Sequence, residues 1–113
     1  MGAEPAAVVS IDEFKRLDLR VGRVVEARQH PNADKLILLQ VDVGDEVKQI
    51  IAGLRQWYEP ESLVGKYVVV VNNLQPVTLR GERSNGMLLA ATSDGEVVIL
   101  TPEKPVKPGS PVS

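Results

Sequence analysis

The chain has 113 residues, with 13 Lys+Arg against 15 Asp+Glu, one His, no Cys and a formal net charge of −2. That length suits one domain with one core, burying about 65% of the surface its unfolded form exposes. The lack of cysteine excludes disulfides and thiolate metal sites and suits a cytoplasmic home. No apolar run reaches the roughly 20 residues of a membrane span, and Met1–Ser10 lacks the blocks of a signal peptide.

Residues 1–10 are small and unpatterned and read as a disordered lead or a linker remnant, leaving 11–113 as the domain. Ser10-Ile11-Asp12-Glu13 fits a capping box, and a helix of about two turns should follow. Ile11, Phe14 and Leu17 can share one face there and plug the open end of a neighbouring element.

Strands then take over. Leu19–Arg28 is valine-rich and predicts a first strand, with Gly22 a bend or bulge. His30–Asp34 is a loop by its Pro, Asn and Asp content. Leu36–Val43 predicts the second strand, with Ile37, Leu39, Val41 and Val43 on one face, and Val47–Ala52 the third after a Gly44-Asp45 turn. Pro60 and Gly65 bracket a short helix, Pro60–Val64. Lys66–Asn72 is the fourth strand, Asn73–Asn85 a long polar loop and Gly86–Thr92 the fifth strand. Asp94-Gly95 is a tight turn into Glu96–Leu100, and Pro102, Pro105, Pro108 and Pro111 favour extended edge segments beyond it.

This is the element order of an OB-fold. The expected class is all-β: a five-stranded OB-fold barrel with a short N-terminal helix, a short helix between strands 3 and 4, and a C-terminal hairpin extension from about residue 94.

Little supports catalysis. His30, Ser84 and an aspartate lack the glycine pattern of a nucleophile elbow. His30 with Asp34 offers a metal only two ligands, and no GxxxxGK loop is present. No cofactor or metal is expected, and the chain is read as non-enzymatic. A net-acidic chain that binds nucleic acid must do so through a local basic patch. Leu17–Lys35 carries Arg20, Arg23, Arg28 and Lys35 against Asp18, Glu26 and Asp34, and Gln75–Met87 carries Arg80 and Arg83 against Glu82. Acid collects at Asp42, Asp45, Glu46, Glu59 and Glu61, so one basic and one acidic side are expected.

Two segments stand out: His30-Pro31-Asn32-Ala33-Asp34-Lys35-Leu36, and Asn73-Leu74-Gln75-Pro76 with Leu79-Arg80-Gly81 and Ser84-Asn85-Gly86-Met87. Each taken alone is an ordinary polar loop, with Met87 free to fill a core gap. Together, with Asp18-Leu19-Arg20-Val21-Gly22, Gln49–Leu54 and Val64-Gly65-Lys66, they resemble one family over Ile11 to about Ala91. It is the transfer-RNA-binding domain found at the C-terminus of many methionyl-tRNA synthetases. The domain also occurs as a free-standing bacterial tRNA-binding protein and in the endothelial monocyte-activating polypeptide group.

The resemblance implies an OB-fold that recognises tRNA by shape, near its outer corner, without reading the anticodon. It implies Asn32 and Lys35 from the first segment and Ser84, Asn85 and Met87 from the second as the RNA face. Arg80 and Arg83 join them on charge alone. Lysine and arginine suit phosphates, Asn and Ser suit phosphate or 2′-hydroxyl groups, and Met87 can lie against a base or in the core. Phe14, Trp57, Tyr58 and Tyr67 all lie outside these segments, so backbone shape should matter more than stacking.

A related branch of the fold is a peptide-binding secretion chaperone, and the intact His30–Leu36 and Ser84–Met87 segments favour tRNA over that alternative. A docking module that tethers a synthetase is a third option. The chain is too short for a synthetase catalytic domain, so such a domain is at most a partner; a free-standing protein and a piece of a longer synthetase both fit. Val97-Val98-Ile99-Leu100 leaves two apolar side chains outward in either strand parity. The N-terminal helix can cover them, or a second copy can. The resemblance favours a homodimer through the C-terminal segment.

Overall fold

The computed structural model describes residues 7–113. The first six residues of the expected lead lie outside the described residues, and Ala7–Ser10 are exposed, without helix or strand. The capping box forms as expected: Ser10 Oγ accepts from Glu13 N–H at 3.1 Å and Glu13 Oε1 from Ser10 N–H at 2.9 Å. Helix α1 (Ile11–Phe14) is nevertheless one turn rather than two. Asn73 ends it from across the chain, donating to Arg16 O at 2.7 Å and accepting from Asp18 N–H at 2.8 Å.

The long strand β1 (Leu19–Gln29) serves two neighbours. Its first half, Leu19–Arg23, pairs with β4 (Tyr67–Val71), and its second half, Arg23–Gln29, pairs with β2 (Ile37–Asp42). The register slips between Val24 and Glu26, so the bulge falls at Val25 rather than at Gly22. Gly22 answers to a different demand: a Cβ there would stand 2.6 Å from Val41 Cγ1. Bulge and glycine together let β1 bend from one sheet neighbour to the other.

β2 pairs with β3 (Val47–Ala52), giving the order β3-β2-β1-β4-β7, where β7 is Met87–Leu88. The residues after β6 (Glu82–Ser84) bring the barrel close to closure against β3, with Asn85 N–H donating to Gln49 O at 2.8 Å. Inside lie Val24, Ile37, Leu39, Val41, Val43, Ile50, Leu54, Leu63, Val68 and Val70. The four apolar residues expected on one face of the second strand are all fully buried.

The barrel end is plugged, but not by α1. Leu63 of α2 (Pro60–Leu63) is buried in the core, which is worth about 1.5–3 kcal/mol. Ile11 and Leu17, expected to plug it, are 65% and 47% exposed. Pro at the first helical position favours α2, and the chain leaves it through Gly65 at φ +89°.

The proline-rich tail returns to the barrel. Gly109 N–H donates to Val21 O (2.7 Å), Val21 N–H to Ser110 O (2.9 Å) and Val112 N–H to Leu19 O (2.9 Å). The tail thereby fills the edge of β1 that β2 leaves open. Pro111 stands opposite Arg20, between those bonds, where no N–H is required. The tail crosses the β2–β3 turn at Gly44 and Gly109, and a Cβ on Gly109 would meet Val43 O at 2.8 Å.

Candidate nucleic-acid interface

The polar loop expected over Asn73–Asn85 contains a hairpin, β5 (Val77–Leu79) against β6. Its turn holds Arg80 at φ +52° and Gly81 at φ +88°. Such paired positive values make a tight hairpin turn, for which Asn-Gly is the usual signal; Arg-Gly conceals it. A non-glycine residue held in that region costs on the order of 1–2 kcal/mol.

His30 joins this hairpin to the loop between β1 and β2. Its ring is 2% exposed. Nδ1 accepts from Asn32 N–H at 2.9 Å, so the proton sits on Nε2, which donates to Leu79 O at 2.9 Å. Gln29 holds the rest of the loop, its amide donating to Ala33 O at 2.9 Å and Asp34 O at 3.2 Å. Two segments about fifty residues apart thus become one surface, and Ala33, Asp34, Lys35, Leu36 and Arg80 line a groove of about 390 Å³.

Of the residues expected on the RNA face, Asn32, Lys35 and Arg80 are exposed and brought together, with the Asn32 amide 3.5 Å from Arg80 O. Arg83 is exposed on β6, and Asn85 is half-buried beside β3. Met87 is 44% exposed, so it is no core residue of the chain; it borders an apolar groove with Leu54, Leu88, Val97 and Ile99.

Ser84 departs from expectation. It is 3% exposed, and its hydroxyl accepts from Ile51 N–H at 3.0 Å and donates to Gly86 O at 3.3 Å. With both roles of the hydroxyl in use, Ser84 fastens the hairpin to β3 and does not face a ligand. Gln49 helps it, donating to Arg83 O at 3.0 Å.

The cations also sort themselves. Arg20, expected on the basic side, is held by Asp18 and Asp45, each 3.0 Å away. The Arg20 hydrogen bond, with help from Asn72, lowers the Asp18 carboxyl below its ordinary value, and the Asp18 contact raises Arg20. Arg23 lies over the Tyr67 ring and Lys66 over Tyr58, each 5.8 Å from the centroid. Lys48 is buried and donates to Asn72 O at 2.8 Å. Among the described residues, Lys35, Arg80 and Arg83 have no carboxylate partner.

The positioning roles of His30, Gln29 and Gln49 escaped sequence reasoning because such a role leaves no spacing signal. Among the described residues, no three His, Cys, Asp or Glu side chains stand together as a metal set, and no helix is long and apolar enough to cross a membrane.

Residues 19–111, which carry both recognition segments, match the family described as "Putative tRNA binding domain". The chain belongs to that family. The domain is 55% identical over 102 residues to a methionine–tRNA ligase of Thermococcus kodakarensis, covering 90% of this chain and 14% of that enzyme. It is 49% identical over 111 residues to the Pyrococcus furiosus ligase, covering 98% of this chain and 15% of the enzyme. The chain therefore spans about one-seventh of the length of these relatives, and it is a non-catalytic tRNA-binding domain homologous to the C-terminal part of methionyl-tRNA synthetase.

Among solved structures, a MetRS-related protein from Pyrococcus horikoshii superposes with a TM-score of 0.89 at 34% identity, covering 96% of this chain and all of that one. The chaperone CsaA from Bacillus anthracis superposes with a TM-score of 0.86 at 33% identity, covering 95% of this chain and all of that one. The OB-type barrel is thus the fold of the tRNA-binding domain, and the same frame is shared with a chaperone.

Proposed function

We propose that the tRNA-binding domain grips the folded backbone of tRNA through the groove between the 30–36 loop and the β5–β6 turn. Lys35 and Arg80 take phosphates, and Asn32 takes a phosphate or 2′-hydroxyl oxygen. Arg83, Asn85 and Met87 flank this centre, and Ser84 supports it from behind. The observation that carries the proposal is the His30 joint, which sets two cations without carboxylate partners on one groove. Phosphate contacts without stacked aromatics recognise shape and place little weight on sequence, so the outer corner of any tRNA suits the site.

The test is a titration with total tRNA across a salt series. If about four phosphates are neutralised, log K against log salt falls with a slope of roughly −3 to −4. Flat affinity, or tighter binding of an unfolded peptide than of tRNA, rejects the proposal in favour of a chaperone-like role.

The domain works in the cytoplasm as a homodimer, or beside a synthetase catalytic domain to which it lends its grip on tRNA. Support for pairing comes from the hairpin of β8 (Ala90–Ser93) and β9 (Glu96–Ile99). Val97 and Ile99 turn toward the core, while Val98 and Leu100 stay 42% exposed, not covered by α1. The tail beyond is occupied by β1, which narrows the pairing surface to the hairpin. Sedimentation equilibrium of the full chain beside the double variant Val98→Asp, Leu100→Asp decides this. A dimer that becomes a monomer is expected, and a monomeric full chain at tens of micromolar rejects it.

A further inference from the structure

A second groove borders the 30–36 loop and shares Asp34 and Lys35 with the first. It has a volume of about 460 Å³ and is lined by Gln29, Asp34, Lys35, Arg55 and Gln56. The turn after β3 forms its far wall and is tied to the loop by Arg55 N–H donating to Lys35 O at 3.4 Å. Arg55 thus stands beside Lys35 although twenty residues separate them in sequence.

The chemistry of the lining is mixed. Arg55 has one weak tie, a 3.4 Å contact with the exposed carboxylate of Glu59, which leaves most of its five donors free. Lys35 has no carboxylate partner among the described residues. The same lining carries the carboxylate residue Asp34 and Gln56, whose amide can accept or donate. A site for a bare anion would not carry a carboxylate on its wall. A ribonucleotide offers what this wall asks for, an anionic phosphate for the two cations and a hydroxyl that donates to Asp34. Because Lys35 and Asp34 line both grooves, the two adjoin, and Arg80, Lys35 and Arg55 all border the joined surface.

We propose that this groove is a nucleotide subsite extending the interface: Lys35 and Arg55 hold one tRNA phosphate, and Asp34 accepts a hydrogen bond from the 2′-hydroxyl of that nucleotide. The proposal rests on the tRNA-binding function above. It predicts a contact one nucleotide beyond the loop–hairpin groove, made by a residue outside both recognition segments.

The test is a tRNA titration over a salt series with the wild type, Arg55→Ala, Arg55→Gln, Arg55→Lys and Lys35→Ala, each checked by thermal melting. Arg55→Ala should weaken binding by at least about fivefold and make the salt slope shallower by roughly 0.7–0.9. Arg55→Lys should restore the slope. If Arg55→Ala melts early, Arg55→Gln, which keeps the stem, carries the same expectation. Asp34→Ala should narrow the preference for a tRNA transcript over its deoxy counterpart. Wild-type affinity and slope in the Arg55 variants, with Lys35→Ala still weak, overturn the subsite and leave the tRNA interface standing. Wild-type binding in Lys35→Ala as well overturns both. An unchanged preference in Asp34→Ala removes the 2′-hydroxyl contact.

Discussion

Replacing His30 with alanine tests the joint on which the interface depends. The change deletes a ring that is 2% exposed, together with the donor to Leu79 O and the acceptor for Asn32 N–H, both at 2.9 Å. An orphaned buried polar group costs about 1–3 kcal/mol. Asn32 is exposed, so water can take over its N–H, and that half of the loss should sit at the low end. With the packing lost around the missing ring, the total comes to about 2–4 kcal/mol, and Tm falls by roughly 10–20 °C. Affinity for tRNA should drop by more than the unfolded fraction explains, because Asn32 and Lys35 lose their fixed position relative to Arg80. His30→Gln, whose amide can still reach Leu79 O, should recover part of both losses. Differential scanning fluorimetry and a tRNA titration below the variant's melting range measure the two effects. A Tm within about 2 °C of the wild type together with unchanged affinity would refute the joint.

Arg80→Gly should raise stability by up to about 1 kcal/mol, by relieving the positive φ, while weakening tRNA binding; a melt beside a titration checks both signs. Ser84→Ala should cost about 1–3 kcal/mol in a denaturant titration because it orphans the buried Ile51 N–H. Met87→Ala, at a half-exposed site, should cost less than about 1 kcal/mol while reducing affinity; a loss of several kcal/mol would return Met87 to the core. The lowered Asp18 carboxyl stabilises the fold at neutral pH, above its unfolded value. That contribution is lost as pH falls below about 4 and through the folded value, so Asp18→Asn should flatten the acid side of a Tm–pH profile.

The barrel was legible in the sequence because its strands announce themselves one residue at a time. Alternation at Ile37, Leu39, Val41 and Val43 is a local pattern, and all four are buried as that pattern demands. The capping box at Ser10 and Glu13 and the tight turn at Asp94-Gly95 are likewise written within a few neighbouring residues. The short helix between strands 3 and 4 was bracketed by Pro60 and Gly65 for the same reason.

Other features depend on residues far apart, and only the folded chain decides them. Asn73 shortens α1, Leu63 rather than α1 plugs the barrel, and the tail closes onto β1 through contacts spanning most of the chain. Charge counting put Arg20 on the basic side and the family resemblance put Ser84 on the RNA face, yet Arg20 is neutralised by Asp18 and Asp45, and Ser84 is turned inward onto Ile51 N–H. Sequence alone names which residue types are present at the interface. Whether a cation is left free, or a hydroxyl already bonded, follows from which distant groups the fold sets within about 3 Å of it, because hydrogen bonds form only at such short range and ion pairs are strongest there.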